Sequence, residues 1–595
     1  MNSKILKKIV LFITVFLIQS KANSQDMYVG VDTYVYASNQ CVYLKNNLEL
    51  SSATSNFYLR NDGQLLQGTT GAGANKGVGK LSVFQEGTVN NYQYNYWCSP
   101  VGNAAISSST NNPFGIGLLG RPTDVTATTA ATILSSNNYN GTASPLGISS
   151  YWIYKFINTS LYSDWIYVGS ANTIAAGEGF IMKGTSGTDT TTINGVQNNS
   201  GSKQRYDFRG KPNDGTIDIS VLPGELTLTG NPYPSAIDLQ AFLMVATNPS
   251  AANCTGIAYF WEHDKTVNSH YIADYKGGYG SYAPAVDIYS PAVFYSYDGS
   301  GEDVTSVTSP GIIYKRRYSP IGQGFLIEGK VGATGNVQMK NSFRVFVKEG
   351  SANNSEFEKR ANTKTKAANA GTPQIRFNTL LDNGAVSQMV LAFLPESTDG
   401  IDDAMDAYSP NDGPANNYFL INGGEYVINV LPFDIDKKIP IGFRNYAQAN
   451  YKITVNSMEN IPEVTNVYLH DKTTNLYYDI KNSLYDLTLP AGTYNTRFEI
   501  TFKNPTLGVD EVENKNFIVQ QDNANKNLVI SNPLQLELDN CSLYDLVGRL
   551  IFTKTQLGTD ATYAFPTSNL SSGIYIVKLS TNDKMEMGQK IIVKN

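Results

Sequence analysis

Apolar and polar residues alternate with a period of two along most of the chain. Runs such as Lys452-Ile453-Thr454-Val455 and Arg344-Val345-Phe346-Val347 sit between clusters of Gly, Asn, Asp and Pro at intervals of roughly ten residues, the texture of short strands joined by turns. No capped 3.6-residue pattern outlasts about ten residues beyond the amino-terminal apolar run. The best short helix is Ser235 to Val245, with Ser235 as its N-cap and Asp238 three residues later.

Three landmarks recur in the same order. The first copy reads Trp97-Cys98-Ser99-Pro100-Val101, then Tyr151-Trp152-Ile153-Tyr154, then Gly177-Glu178-Gly179-Phe180. The second reads Gly230-Asn231-Pro232-Tyr233-Pro234, then Tyr259-Phe260-Trp261, then Gly322-Gln323-Gly324-Phe325. The intervals differ strongly, which describes a duplicated β-unit with variable loops and not a short-period solenoid. The resulting division is a first unit over 25–200, a second over 201–349, a flexible linker at 350–372, a β-sandwich or jelly roll over 373–504, an acidic linker at 505–516 and a small β-domain over 517–595. The fold class is all-β: tandem sandwich or jelly-roll-like domains ending in a small Ig-like β-sandwich.

Residues 1–24 have the layout of a secretory signal peptide: Lys4, Lys7 and Lys8, the apolar run Ile9–Ile18, then Ala22-Asn23-Ser24 before Gln25. An apolar run of that length is too short to span a bilayer, and no later segment approaches a span. Cleavage removes four lysines and no acid, which deepens the formal charge from −6 to about −10. Such an acidic chain has no basic patch for nucleic acid. Cys41, Cys98, Cys254 and Cys541 form no Cys-x-x-Cys pair, so buried thiols are favoured over a zinc or redox motif; a disulfide among the first three stays open.

The terminal domain has a hairpin at Tyr544-Asp545-Leu546-Val547-Gly548-Arg549, a strand in Leu570-Ser571-Ser572-Gly573-Ile574-Tyr575-Ile576-Val577-Lys578-Leu579, and a last strand Lys590-Ile591-Ile592-Val593. These three ordered motifs resemble the type A C-terminal sorting domain of the type IX secretion system of Bacteroidota. The usual opening Pro-Asn-Pro is absent, with Gln520-Gln521-Asp522-Asn523 near that place. The resemblance implies export across both membranes, recognition by the secretion machinery through 517–595, and a secreted or outer-surface destination. Tyr544, Asp545, Gly548, Arg549, Gly573, Tyr575 and Lys590 are the residues that carry the signal.

Three histidines in 595 residues leave little room for His-based catalysis or a multi-His metal site. His470 reads as a solvated residue at a strand end. Trp261-Glu262-His263-Asp264 is the densest chemical cluster: alternation in a strand would put Glu262 and Asp264 on one face, as a glycoside hydrolase requires. Glu178 reads as a turn residue, because Gln323 replaces it in the second copy. Asp399, Asp402, Asp403 and Asp406 are the candidate ligands of a structural Ca2+; no other cofactor is expected. Tyrosines crowd the insertion of the second copy, with Tyr275, Tyr279 and Tyr282 as the candidate contact surface, and Tyr92, Tyr94 and Tyr96 alternate before Trp97. Two readings stand: an adhesive or structural binding protein contacting glycans or surface proteins, or an extracellular polysaccharide hydrolase using paired carboxylates.

Overall fold

The computed structural model describes residues 26–594 apart from 69–72, 109, 247–252, 300–302, 307–310, 333–334, 358–370, 382–383, 411–412, 463–464, 505–516 and 584–585. The signal peptide and the second linker therefore lie outside the described residues. Strands dominate, as the period of two requires.

The first eight strands are β1 Met27–Val29, β2 Tyr34–Ser38, β3 Cys41–Leu44, β4 Leu48–Leu50, β5 Asn56–Arg60, β6 Gln64–Gln67, β7 Lys76–Gly77 and β8 Lys80–Glu86. They wind as a three-sided parallel coil. β1 pairs with β4 and β4 with β7; β2 pairs with β5 and β5 with β8; β3 pairs with β6, all parallel. The partners Met27↔Leu48, Tyr34↔Asn56 and Cys41↔Gln64 set a repeat of roughly 22 residues, a solenoid period. This coil precedes the repeated landmarks and is a feature the sequence reading did not anticipate. Fewer than three full turns, without a shared residue motif, leave no self-similarity to find. Leu48, Leu50, Phe57, Leu59 and Leu65 fill the interior of the second coil, each worth about 1.5–3 kcal/mol of burial.

β8 also pairs antiparallel with Arg205–Pro212. That strand, assigned from sequence to the second unit, belongs to the sheet of the first. The landmarks occupy equivalent registers in the two units. In the first, β9 (Tyr94–Cys98) places Cys98 opposite Gly179, and Tyr154 opposite Ile181. In the second, Gly230 lies opposite Gly324 and Tyr259 opposite Leu326. The two units interlock through these same residues. Cys98 N–H donates to Gly322 O at 2.9 Å, and the Thr229 hydroxyl donates to Gly177 O at 2.7 Å. A Cβ on Gly179 would stand 2.6 Å from Thr229 O, so the close approach demands glycine there.

Among the described residues the α-helix is α1, Leu239–Ala246. Its N-cap is Asp238, whose carboxylate accepts from Ala241 N at 3.1 Å, while Ser235 lies before the short strand Ala236–Asp238. The expected flexible linker is packed over its first part: Phe357 is fully buried with its ring 4.9 Å from Trp97, and Lys315 N donates to Glu356 at 2.7 Å.

Residues 374–501 form one coiled sheet whose edge strands, Leu476–Asp479 and Tyr485–Leu489, meet with the Tyr478 and Tyr485 rings 3.9 Å apart. His470 is not solvated. It is buried, bonded to Glu499 at 2.8 Å and Asn475 at 3.1 Å, and stacked on Tyr477. The last domain packs a three-stranded against a four-stranded sheet around Leu528, Leu543, Val577 and Leu579. All four cysteines are free thiols, Cys41 exposed and the others buried.

Candidate functional site

β9 is the base of an aromatic platform. Its pleat turns Trp97 inward against Tyr206, Phe208 and Phe357, and sends Tyr94 and Tyr96 to the opposite face. Lys183 is the cross-strand partner of Tyr94 and therefore rises on that outer face. The 3-10 turn Ser150–Trp152 brings in Trp152, and the insertion of the second unit brings in His270, Tyr275 and Tyr279. Segments distant in sequence thus meet on one surface.

Lys183 is the centre of the platform. Its Nζ lies 3.6 Å above the Trp152 ring and 5.0 Å from each of the Tyr94 and Tyr275 rings. It also lies 3.1 Å from His270 Nδ1, and His270 Nε2 lies 2.8 Å from Asn140 Oδ1. An amine that donates to Nδ1 fixes the other imidazole nitrogen as the N–H donor to Asn140. Burial pushes the Lys183 amine down to about 6, against the preference of the three ring faces for its charged form. Burial first and Lys183 next push His270 down to about 4, so the imidazole is neutral.

Around this centre His270 stacks on Trp152 at 5.1 Å and leans on Tyr92 at 4.8 Å. Trp152 Nε1 donates to Tyr139 O at 2.7 Å, which holds the exposed Tyr139 ring 4.9 Å from Tyr151. The Tyr275 hydroxyl donates to Tyr92 O at 2.9 Å, and the Tyr96 and Tyr279 hydroxyls lie 2.6 Å apart. Tyr162 and Tyr167 continue the exposed aromatic surface beside Tyr154. The rings are fixed by hydrogen bonds and by one another; Tyr139 is exposed, Tyr92, Trp152, His270 and Tyr275 are part-exposed, and Tyr96 is buried beneath them.

The expected surface of Tyr275, Tyr279 and Tyr282 loses its last member. Tyr282 is 1% exposed and donates to Asp287 at 2.9 Å inside the second unit, because an odd spacing from Tyr279 puts it on the opposite face of strand Lys276–Ala283. Sequence reading missed Lys183, Tyr139 and Asn140 as parts of the platform. In the sequence Trp152 stands out only as part of the repeated landmark Tyr151-Trp152-Ile153-Tyr154.

Glu262 and Asp264 do not converge. Strand Cys254–His263 ends before Asp264, so alternation does not reach it. Glu262 is buried, accepting from the Tyr289 hydroxyl, from Ile312 N at 2.8 Å and from Ala292 N at 3.4 Å, and burial raises its pKa. Asp264 instead caps a turn through Thr266 N at 3.0 Å. The acidic loop is likewise divided: Asp399 pairs with Lys437, Asp403 with Lys330, Asp402 accepts from Thr398 N at 2.6 Å, and buried Asp406 accepts from Asp402 N and Val430 N, both at 2.7 Å. Among the described residues no three metal-ligating side chains cluster. Glu178 holds its own turn through Ala175 N at 2.8 Å and pairs with Lys155 at 2.9 Å.

In the tail, the Asp545 carboxylate accepts from Val547 N and Arg549 N, both at 3.0 Å, and pairs with Arg549 Nε at 2.8 Å, which closes the hairpin around Gly548 at φ +82°. Tyr544 pairs across the sheet with Leu550 and Ile576, and Gly573 with Val593. The Tyr575 hydroxyl donates to Ser571 O at 3.0 Å. Lys590 donates to Val455 O at 2.8 Å across the contact with the preceding domain, where burial pushes its amine down to about 8.

A family model described as Domain of unknown function (DUF8693) matches residues 128–502, and one described as Secretion system C-terminal sorting domain matches residues 523–594. The second makes the chain a type IX secretion substrate, exported to the cell surface or secreted. Among the described residues no helix is long and apolar enough to cross a membrane. No curated protein matches the chain. Among solved structures, a polysaccharide lyase is similar at 12% identity and a TM-score of 0.15, over 38% of this chain and 40% of the lyase. A tetra-tandem repeat from the extending region of a large adhesion protein is similar at 10% identity and a TM-score of 0.10, over 38% of this chain and 66% of the repeat. Neither likeness bears on function.

Proposed function

The chain belongs to the DUF8693 family, and from its exported destination and its surface we propose that it is a glycan-binding protein acting outside the cell. The observation that carries the reading is the platform at the junction of the two β-units, with Tyr139, Trp152, Tyr92 and His270 held in fixed mutual orientation and partly open. Rigid aromatic faces offer a saccharide ring a flat apolar partner at low entropic cost, and their polar tips meet its hydroxyls. Asn140, His270 and the phenols supply donors and acceptors beside the rings. The absence of a formal charge on the neutral imidazole suits an uncharged sugar face. Adhesion to a glycan-coated surface is the role this reading gives the chain, and the separation of Glu262 from Asp264 removes the pair on which the hydrolase alternative rested.

A glycan array probed with the exported chain from Gln25 onward tests this. Binding to a defined set of saccharides, reduced by Trp152→Ala, is expected. An array that stays silent, together with a negative adhesion assay on glycan-coated beads, removes the proposal.

A further inference from the structure

The parallel coil at the amino-terminal end has an open top. Among the described residues β1, β2 and β3 pair on one side only, with β4, β5 and β6, so each presents a row of unpaired backbone groups on the other. The apolar interior is only partly covered there, with Val29, Ala37 and Leu44 buried. Met27, Val35 and Val42, one inward residue from each side of the coil, pack on the core from partly exposed positions, whereas the residues of the coil beneath them are fully buried. Around the rim stand Tyr28, Tyr34 and Tyr43, 66%, 61% and 61% exposed, with Tyr36 and Val31 beside them.

Solenoids need capped ends, and natural edge strands are kept from pairing by lysine, proline or bulges. Residues 26–44 contain no Lys, Arg or Pro, and Asp26 and Asp32 are their only charges. We propose that the open top is a self-association surface on which a second copy of the chain seats end to end.

The shape of the rim selects this occupant. A single added strand would pair one side and leave the other two sides unpaired; a three-sided rim is matched by another three-sided rim. A twofold axis through the middle of β2 lays β2 antiparallel on its own copy and brings β1 over β3 of the partner, strands of three and four residues. The nearly uncharged edge neither repels its copy nor attracts a strongly charged partner. Met27, Val35 and Val42 of each copy would then close one continuous core. Beyond the glycan reading, such a dimer would carry two platforms on one particle and bind a multivalent surface with avidity.

Sedimentation velocity on the exported chain from Gln25 onward tests the proposal. A concentration-dependent dimer is expected. Tyr36→Lys, which meets itself across the axis, is expected to weaken it at least about tenfold, because like charges directly opposite one another oppose strand pairing. Tyr43→Lys on the exposed rim serves as a second variant should the first not fold, with thermal unfolding as the control. Mixing Tyr36→Lys with Tyr36→Glu chains should restore the dimer, a result specific to a second copy. A chain monomeric up to about 100 μM, far above the dissociation constants of stable dimers, would overturn the inference. So would a dimer indifferent to both rim lysines, or the capture of a different protein on an otherwise monomeric rim.

Discussion

The tyrosine-rich insertion of the second unit supplies both a surface and an interior. Tyr275 and Tyr279 turn to the platform, beside rings contributed by the first unit. Tyr282 and Tyr289 turn the other way, into a core with Phe260, Phe325 and Tyr314, where their hydroxyls are committed to Asp287 and Glu262. Composition is the same on both sides. What differs is the parity that separates Tyr279 from Tyr282 along strand Lys276–Ala283, and the partner waiting on each face. Aromatic richness therefore identifies a binding surface only after the pleat has been assigned.

The largest effect that would separate the two faces is on stability. Tyr282→Ala empties a buried site and is expected to cost about 3–5 kcal/mol in chemical denaturation, as large-to-small aromatic changes do, while leaving the platform intact below the unfolding temperature. On the outer face the reverse is expected: Trp152→Ala should reduce saccharide affinity at least about tenfold, roughly 1.4 kcal/mol, and change unfolding by less than Tyr282→Ala does. Equal losses of stability from the two substitutions would dissolve the distinction.

Lys183 is buried among the platform rings, and pH reports that burial. Its folded-state amine titrates near 6 instead of the ordinary value near 10.5, so between those values the unfolded chain binds the extra proton. Stability is then expected to rise as pH increases from about 6 towards 10, and to have lost this contribution fully below 6. Lys183→Met should flatten that slope in denaturation curves recorded across the range. A slope unchanged in the variant would place the amine in solvent-like surroundings. The smallest effect is expected of Tyr275→Phe, which removes one hydrogen bond to Tyr92 O, about 1 kcal/mol, and loosens the platform without removing a ring.

Local order was legible in the chain; convergence was not. The period of two announced strands, and the Gly-x-Gly-Phe landmarks fell at matching registers because glycine is demanded wherever the two units touch. The ordered motifs of the tail were equally readable, since a hairpin closed by Asp545, Gly548 and Arg549 is a local object. The coil of β1–β8 escaped notice because its period is carried by backbone pairing of dissimilar residues. The platform escaped because Tyr94, Trp152, Lys183 and His270 come from separate segments that only the tertiary fold assembles. Glu262 and Asp264 misled for a simpler reason: the strand that would have aligned them stops at His263. His470 misled likewise, its partner Glu499 being supplied by a neighbouring strand.

Saccharide titration followed by tryptophan emission tests the central claim most directly. Trp97 is sealed in the core of the first unit, Trp152 lies on the platform under Lys183, and Trp165 and Trp261 pack against Tyr96 behind it. The best ligand from the array should shift the emission of the exported chain in a saturable manner, and Trp152→Phe should remove the larger part of that shift while preserving the fold, Trp165 and Trp261 supplying the remainder. An unchanged shift in Trp152→Phe, or binding that leaves emission untouched in the parent chain, would contradict a glycan site on this platform.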